Sequence, residues 1–508
     1  MEGTGFKSIF VFLLLALLAF VAGSLASDSA RDALVPSVIV LGLFFLVFLG
    51  KNCWWLIMVL PPVLQVLDFP ILQKIPIPGA LAAVILFYWF IMSVLGYAKF
   101  TWNGVKWVDI SVLVFVSYFL FTWVRHPVTV LQLVSSTDFS DVQIGGVAYF
   151  FCIGAIFYYL TLSVIPLKIE SILKALKVGF WLSVVATLFM CVKGLTIGNN
   201  VQTELADAVV STRFSSFAPL GLKISYYIFS KYTILGIVLS PIKIFVLLVG
   251  LFGIAISGFR TYFMELFVFV AVSSYIYKSL LSFFVFGIIL WGALVYLSYE
   301  NVLDKLPYGI QRVCSAVPGI MIDEYALRDA QGSVDWRVEM WEWALNPSTG
   351  YIKDYVWGDG FAFSLFRQQK ATVASSLGLI DIASQKRFAE QGMWHSGYIT
   401  SIHRIGYVGL TLLLGMMLSV LIVSAIVLSA LRRYAEREYA YISIIAVFGF
   451  VVFFFVSAGS FTDVFSIFVL TAAISKVMYS IMQKKGEITS IFQRCEYIPQ
   501  IIKMGSKE

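Results

Sequence analysis

Charge is what this sequence is short of. Only 13% of its 508 residues are Asp, Glu, Lys or Arg, about half the share found in soluble domains, so a fully water-facing surface cannot be built from it. Cysteine is nearly as scarce. Cys53, Cys152, Cys191, Cys314 and Cys495 show no CxxC or metal-ligand spacing, which argues against a disulfide framework or a zinc site. The long apolar runs do not alternate with polar residues at every second position, which argues against an outer-membrane barrel. There is no internal repeat and no low-complexity tract.

Apolar residues are what it has: 60% of the chain, with a mean hydropathy of +0.90. A membrane-spanning helix needs about 20 mostly apolar residues. Candidate spans fall at 8–26, 34–50, 52–67, 79–98, 108–124, 144–166, 175–197, 217–239, 243–257, 261–277, 279–298, 404–431, 440–458 and 461–481. The third is the weakest, because it contains Pro61-Pro62. The run at 8–26 is read as a retained helix rather than a signal peptide, being longer than the usual signal core. The expected fold is an all-α integral membrane bundle of about 12–14 helices. Its parts are an N-terminal bundle at 1–298, a large extracytoplasmic helical loop at 299–403, C-terminal spans at 404–481 and a cytoplasmic tail at 482–508.

The net charge of +7 is explained by the membrane and calls for no nucleic-acid partner. Lys99 and Lys106, Lys168, Lys174 and Lys177, Arg432, Arg433 and Arg437, and Lys484 and Lys485 all fall on one side if the span count holds. Basic short loops mark the cytoplasmic side. Both termini are then inside, and 299–403 is outside together with 125–143, 198–216 and 258–260. The long loop is expected to form a small cap. In it Ser333 begins a helix with Val334, Val338, Trp341 and Leu345 as its apolar stripe. Asn346-Pro347-Ser348-Thr349-Gly350 ends that helix, and Gly358-Asp359-Gly360 makes a tight turn.

Polar residues on the outer side of so apolar a chain mark candidate chemistry. Arg213 lies in Ser211-Thr212-Arg213-Phe214, and Arg260 ends Ser257-Gly258-Phe259-Arg260. Trp336 and Arg337 lie in Asp335-Trp336-Arg337-Val338-Glu339-Met340-Trp341. His395 lies in Trp394-His395-Ser396-Gly397-Tyr398-Ile399, with Arg404, Gly406 and Gly409 beyond it. Three arginines suit an anionic, lipid-linked substrate, because a guanidinium matches phosphate oxygens bidentately. A histidine can take a proton from a sugar hydroxyl. No DxD-like acidic pair stands on the outer side to hold a metal, so the arginines would neutralise a diphosphate themselves. Each residue also has a plainer role open to it: a packed loop histidine at 395, a snorkelling anchor at Arg260, a stack of Arg337 on Trp341, an ordinary loop charge at Arg213. Within the spans, Lys231 and Glu265 are expected to pair or to line a wet cavity. Lys223 is a further candidate phosphate contact. His126 and His403 read as interfacial or loop residues.

Taken together, Arg213, the Ser257 to Arg260 turn, Arg337 to Trp341 with Gly358 to Gly360, and His395 to Ile399 with Gly406 to Gly409 resemble the O-antigen ligase and O-antigen polymerase superfamily of bacterial envelope glycosyltransferases. The resemblance covers roughly 200–410; Ser396 stands where the family usually has Asn, and Ile399 where it has Leu. It implies an inverting, metal-independent and cofactor-free transfer from an undecaprenyl-diphosphate-linked glycan, at the periplasmic face of the bacterial inner membrane. It also implies His395 as catalytic base or as the group that orients the acceptor hydroxyl, Arg213 and Arg260 on the diphosphate, and Arg337 on donor or acceptor sugar; Lys223 joins the diphosphate set and Trp336 the sugar set from their own places in the sequence. The acceptor would be a second glycan (polymerase), lipid A-core (ligase) or a protein hydroxyl (O-oligosaccharyltransferase), with a flippase and a chain-length regulator as possible assembly partners. Lipid A-core is rich in phosphate and favours a basic outer surface. The 299–403 loop carries nine Lys and Arg against twelve Asp and Glu, a net of −3, so a polymerase of repeat units is favoured. A lipid-linked oligosaccharide flippase is the rival from another class, and it needs no large outer domain.

Overall fold

The computed structural model describes residues 50–66, 76–128, 143–197, 201–206, 209–214, 217–315, 317–364, 388–389, 392–456 and 461–488. The expected spans at 8–26 and 34–50 and most of the C-terminal tail lie outside these residues. After a 3-10 turn at Gly50–Trp55 come α1 (Leu56–Val66), α2 (Ile77–Val94), α3 (Lys106–Arg125), β1 (Gln143–Ile144), α4 (Val147–Val164) and α5 (Ile169–Ile197). A hairpin of β2 (Val201–Ala206) and β3 (Val209–Phe214) leads to α6 (Phe217–Lys231), α7 (Ile234–Val238), α8 (Pro241–Ile256), α9 (Arg260–Ile276) and α10 (Leu280–Tyr299). The long loop holds α11 (Tyr308–Cys314), α12 (Glu324–Leu345) and β4 (Phe363–Ser364), and α13 (Gly397–Ala430), α14 (Arg437–Val456) and α15 (Phe461–Lys484) follow.

The protein is an all-α polytopic membrane protein. Eight helices among the described residues are long and apolar enough to cross a membrane. The expected 12–14 are not reached among these residues. The run 217–239 is not one span: α6 stops at Lys231, and Thr233 caps the separate short helix α7 by accepting the Gly236 N–H at 3.2 Å. With α8 and α9, α6 is only 15 to 17 residues long. Close packing holds this group together. A side chain on Gly221 of α6 would collide with the Gly250 carbonyl of α8, so the two backbones touch, as small residues permit between membrane helices.

The basic clusters do converge on one end of the bundle. Lys177 pairs with Glu436 at 2.6 Å and Lys485 with Glu170 at 3.5 Å. Lys484 donates to Asn103 at 3.1 Å, and Arg432 donates to the Ile276 carbonyl. Four chain reversals and the end of α15, far apart in sequence, are tied together here. One charge pair lies deeper: Lys476, fully buried, meets Asp109 at 2.6 Å beside the Tyr159 hydroxyl and ring. Charges inside a bundle persist when paired in this way. The expected pairing of Lys231 with Glu265 is not formed. Lys231 donates to Tyr227 one turn earlier at 3.0 Å, and Glu265 instead accepts the Tyr226 hydroxyl at 2.6 Å.

At the opposite end the long loop builds a second, smaller core. Met340, Ala344, Ile352, Trp394, Ile399 and Ile402 are buried in it, walled by tryptophans and tyrosines. The helix expected to begin at Ser333 begins nine residues earlier, at Glu324, so Ser333 is not a cap. Of the expected stripe only Trp341 packs; Val334, Val338 and Leu345 are exposed. Trp336, Met340, Trp341 and Ala344 carry the packing, because the partner surface is the Trp394 segment and lies to that side. The helix end reads as expected. Asn346 accepts the Ser348 N–H at 3.0 Å and Gly350 takes a left-handed φ of 67°.

Candidate functional site

The site is assembled where the loop closes onto the start of α13. Between residues 351 and 363 the chain folds back across that helix. The Tyr355 and Val356 carbonyls accept the N–H groups of Tyr407 at 2.8 Å and Val408 at 3.1 Å. The N–H groups of Asp359 and Gly360 donate to the carbonyls of His403 at 2.8 Å and Arg404 at 3.0 Å. These bonds exist because α13 breaks its own ladder at Gly406, whose φ of 66° and ψ of −178° form a combination that essentially only glycine adopts. Buried Arg404 reaches the Gly360 carbonyl at 3.0 Å, while Arg125 of α3 pairs with Asp354 at 3.0 Å. The Tyr118 hydroxyl lies 2.7 Å from the Ile405 carbonyl. Gly406→Ala is expected to cost on the order of 3 kcal/mol, since the new methyl would meet the Val356 carbonyl. A thermal unfolding curve in detergent checks this; an unshifted midpoint would mean that the docked turn contributes nothing to stability.

His395 sits immediately before α13 with φ 49°. The left-handed region disfavours a residue with a Cβ by about 1–2 kcal/mol, so the surroundings must impose it. Trp394, fully buried, is held at its carbonyl by the Trp341 indole at 2.8 Å and at its own indole by His403 Nδ1 at 2.9 Å. The His395 ring then stands edge-on between Trp336, with ring centres 4.8 Å apart, and Phe388, at 4.6 Å. Its Nε2 is buried with no hydrogen-bond partner. Burial first, and the positive charge of Arg337 second, lower its pKa to about 4. The imidazole is therefore neutral at physiological pH, with a free lone pair available to accept a proton.

Arg337 projects from the packed side of α12, and burial together with the charge of Arg260 lowers its pKa. It stays protonated all the same, as guanidinium does in proteins. Arg260 opens α9 directly after a turn in which Gly258 has φ 71° and the Ser257 hydroxyl accepts the Phe259 N–H at 3.3 Å. Gly309 lets α11 press on this turn: a side chain there would lie 3.0 Å from the Ile256 carbonyl. The charge of Arg260 thus acts on Arg337, and that of Arg337 on His395; like charges within reach of one another are eased by an anion. Among the described residues no three His, Cys, Asp or Glu side chains group to hold a metal.

Of the residues expected from sequence, Trp336, Arg337 and His395 come together, and Arg260 is linked to them through its charge on Arg337. Arg213 is on β3, in register with Gln202, on a hairpin beside α11; its side chain lies outside the described residues. Lys223 is elsewhere. It points to α5, donating to the Ser183 carbonyl at 3.1 Å and to the Thr187 hydroxyl. The sequence reading named Asp359 and Arg404 without giving either a role, and took His403 for an interfacial or loop residue. His403 is buried with its Nε2 3.6 Å from Asp359. The available signal was a histidine and an arginine side by side two residues before a glycine inside an apolar run. His126 packs against Gly360. No protein-family model matches the chain, and no curated protein matches it.

Proposed function

We propose that this protein is a membrane glycosyltransferase that polymerises glycan repeat units carried on a polyprenyl diphosphate. The observation that carries the reading is a neutral histidine with a buried, unpartnered nitrogen in the field of Arg337, which in turn lies in the field of Arg260. Diphosphate is already a good leaving group, so the protein has to position, deprotonate and neutralise. A hydroxyl oxygen of the acceptor glycan attacks the donor's anomeric carbon from the face opposite the diphosphate. The bond from that carbon to the phosphate oxygen breaks, its electron pair stays on the diphosphate, and configuration inverts. The hydroxyl proton passes to Nε2 of His395. Although a group with a pKa near 4 is a weak base, it suffices when proton transfer is late, after the new C–O bond has made the hydroxyl acidic.

The sequence reading assigned Arg337 to sugar. Its coupling to Arg260 supports a place on the diphosphate, with Trp336 left as the aromatic wall for a sugar ring. Lys223, already satisfied inside the bundle, is left out of the clamp. Purified protein in lipid nanodiscs, given lipid-linked repeat units alone, is expected to produce a ladder of longer glycans. If no ladder forms but glycan moves to added lipid A-core, the protein is a ligase; release of neither product rejects the transferase reading.

The gathered basic end favours the cytoplasm, which puts the site on the periplasmic side of the inner membrane. Glu342 and Lys168 are exposed at opposite ends. In intact spheroplasts an impermeant maleimide is expected to label Glu342→Cys, and Lys168→Cys only after lysis. Cys53, Cys152, Cys191 and Cys314 are buried, and the fifth cysteine is removed by Cys495→Ser in both variants, which keeps the background low. The reverse pattern would invert the topology.

A further inference from the structure

We propose that His403 is a positioning residue for His395, acting through the side chain of Trp394. This rests on the reading of His395 as the base. Trp394 carries three polar anchors: its N–H meets the Thr400 hydroxyl at 3.3 Å, its carbonyl accepts from Trp341, and its indole N–H donates to His403 Nδ1. An indole can only donate, so Nδ1 of His403 accepts and the proton of that ring sits on Nε2. That N–H faces Asp359 Oδ2 at 3.6 Å. Asp359 is itself fixed, because its carboxylate accepts the N–H groups of Lys353 at 2.8 Å and Asp354 at 3.0 Å. A chain of polar contacts therefore runs from the docked glycine turn through Asp359 and His403 to Trp394, the residue just before His395.

His395 needs such support from outside itself. Its Nε2 has no hydrogen-bond partner and its backbone is in the left-handed region. Conformations of that kind persist only where neighbours over-determine them. Two of the Trp394 anchors hold main-chain atoms, whereas the His403 contact is the one polar anchor on the indole itself, which is otherwise packed in the small core. If that anchor is lost and the indole shifts, the main chain of Trp394 no longer holds His395 in place and the imidazole is free to leave its slot between Trp336 and Phe388.

The test compares His403→Leu, His403→Asn and Trp394→Phe in the full-length protein. The Asn carbonyl oxygen can stand in for Nδ1 as the acceptor of the indole N–H; Leu cannot. Trp394→Phe keeps an aromatic ring but removes the donor together with part of a fully buried ring system, so its readouts are compared with those of His403→Leu, which leaves the indole intact. The first measurement is the pH dependence of His395 carbethoxylation by diethyl pyrocarbonate, followed by peptide mass spectrometry. The chain has only three histidines, so His126 is the internal control. The midpoint for His395, about 4 in the parent protein, is expected to rise by roughly one unit or more toward the ordinary histidine value in His403→Leu and Trp394→Phe. It should stay in place in His403→Asn.

The second measurement is glycan synthesis. Turnover is expected to fall about tenfold or more in the first two variants with donor KM unchanged, and to be restored by Asn. Unchanged midpoint and turnover in His403→Leu, even with lower thermal stability, would make His403 merely structural and overturn the proposal. If His403→Leu does not fold, Trp394→Phe decides on the same two readouts. Should the parent protein make no glycan at all, the transferase reading fails, while the labelling midpoints still accept or reject the positioning role.

Discussion

His395→Ala is expected to lower turnover by roughly 10²–10⁴-fold, the span typical of a lost general base, while donor binding stays near that of the parent protein. The separation follows from the geometry. The imidazole is held by Trp336 and Phe388 and presents an unpartnered Nε2, whereas the positive charge lies on Arg337 and Arg260. The acid limb carries a second signature. Because kcat/KM reports the free enzyme, it should fall only as pH drops through about 4, where His395 gains its proton. A bound diphosphate offsets the charge of Arg337, which favours the imidazolium, so the limb in kcat should lie at higher pH. Arg337→Gln should move the kcat/KM limb upward as well, although only part of the way, because burial is the larger cause of the lowered pKa. Initial rates over pH 3.5–8 together with binding of a lipid diphosphate analogue check all of this. Turnover at the parent level in monodisperse His395→Ala protein would reduce the histidine to a loop residue.

Much of the architecture was legible because the bilayer imposes one rule on every span: about 20 apolar residues, with charge gathered at the ends. The gathering of Lys177, Arg432, Lys484 and Lys485 with their partners at one end follows from that rule. Composition fails where a run is long enough by count but broken by tertiary demands. The stretch 217–239 carries no charge except Lys223 and Lys231, yet it divides at Tyr232-Thr233, where a threonine offers a cap that competes with the continuing ladder. Hydropathy averages over such a choice.

The loop shows a different limit. Residues at 334, 338, 341 and 345 have sound helical spacing, and α12 is a helix there. Spacing identifies a possible face; the partner decides which face is buried. That partner, the segment around Trp394, is more than fifty residues away and is positioned by a glycine kink in α13. His403 and Arg404 were hidden for a related reason. Hydrogen bonds from Asp359 and Gly360 to the carbonyls at 403 and 404 need a helix that leaves those carbonyls free, and only the conformation at Gly406 shows that it does. The residues with exposed chemistry, by contrast, stood out because little else in the chain is polar. Arg260, Arg337 and His395 were each found that way, and the structure adds that the charge of Arg260 acts on Arg337 and that of Arg337 on His395.

Arg260→Lys is expected to fail where His395→Ala does not, at donor binding. Lysine keeps the positive charge but replaces a planar fork of donors by a single ammonium, which loses the bidentate match to phosphate oxygens. If Arg260 and Arg337 grip the same diphosphate, the loss is about 1.5–3 kcal/mol for a hydrogen bond to a charged group, or roughly 10- to 150-fold in the dissociation constant of a lipid diphosphate analogue. The two arginines repel each other when the site is empty, and the anion relieves that repulsion. The paired substitution should therefore be non-additive: once Arg260→Lys has weakened the grip, Arg337→Lys should cost less than it does alone, a coupling that a double-mutant cycle measures. Neither change removes the base, so at saturating donor the residual turnover should keep the acid limb of the parent protein. Unchanged analogue affinity in Arg260→Lys, or full additivity of the two substitutions, would separate the arginines from a common ligand and leave Arg260 as an interfacial anchor at the head of α9.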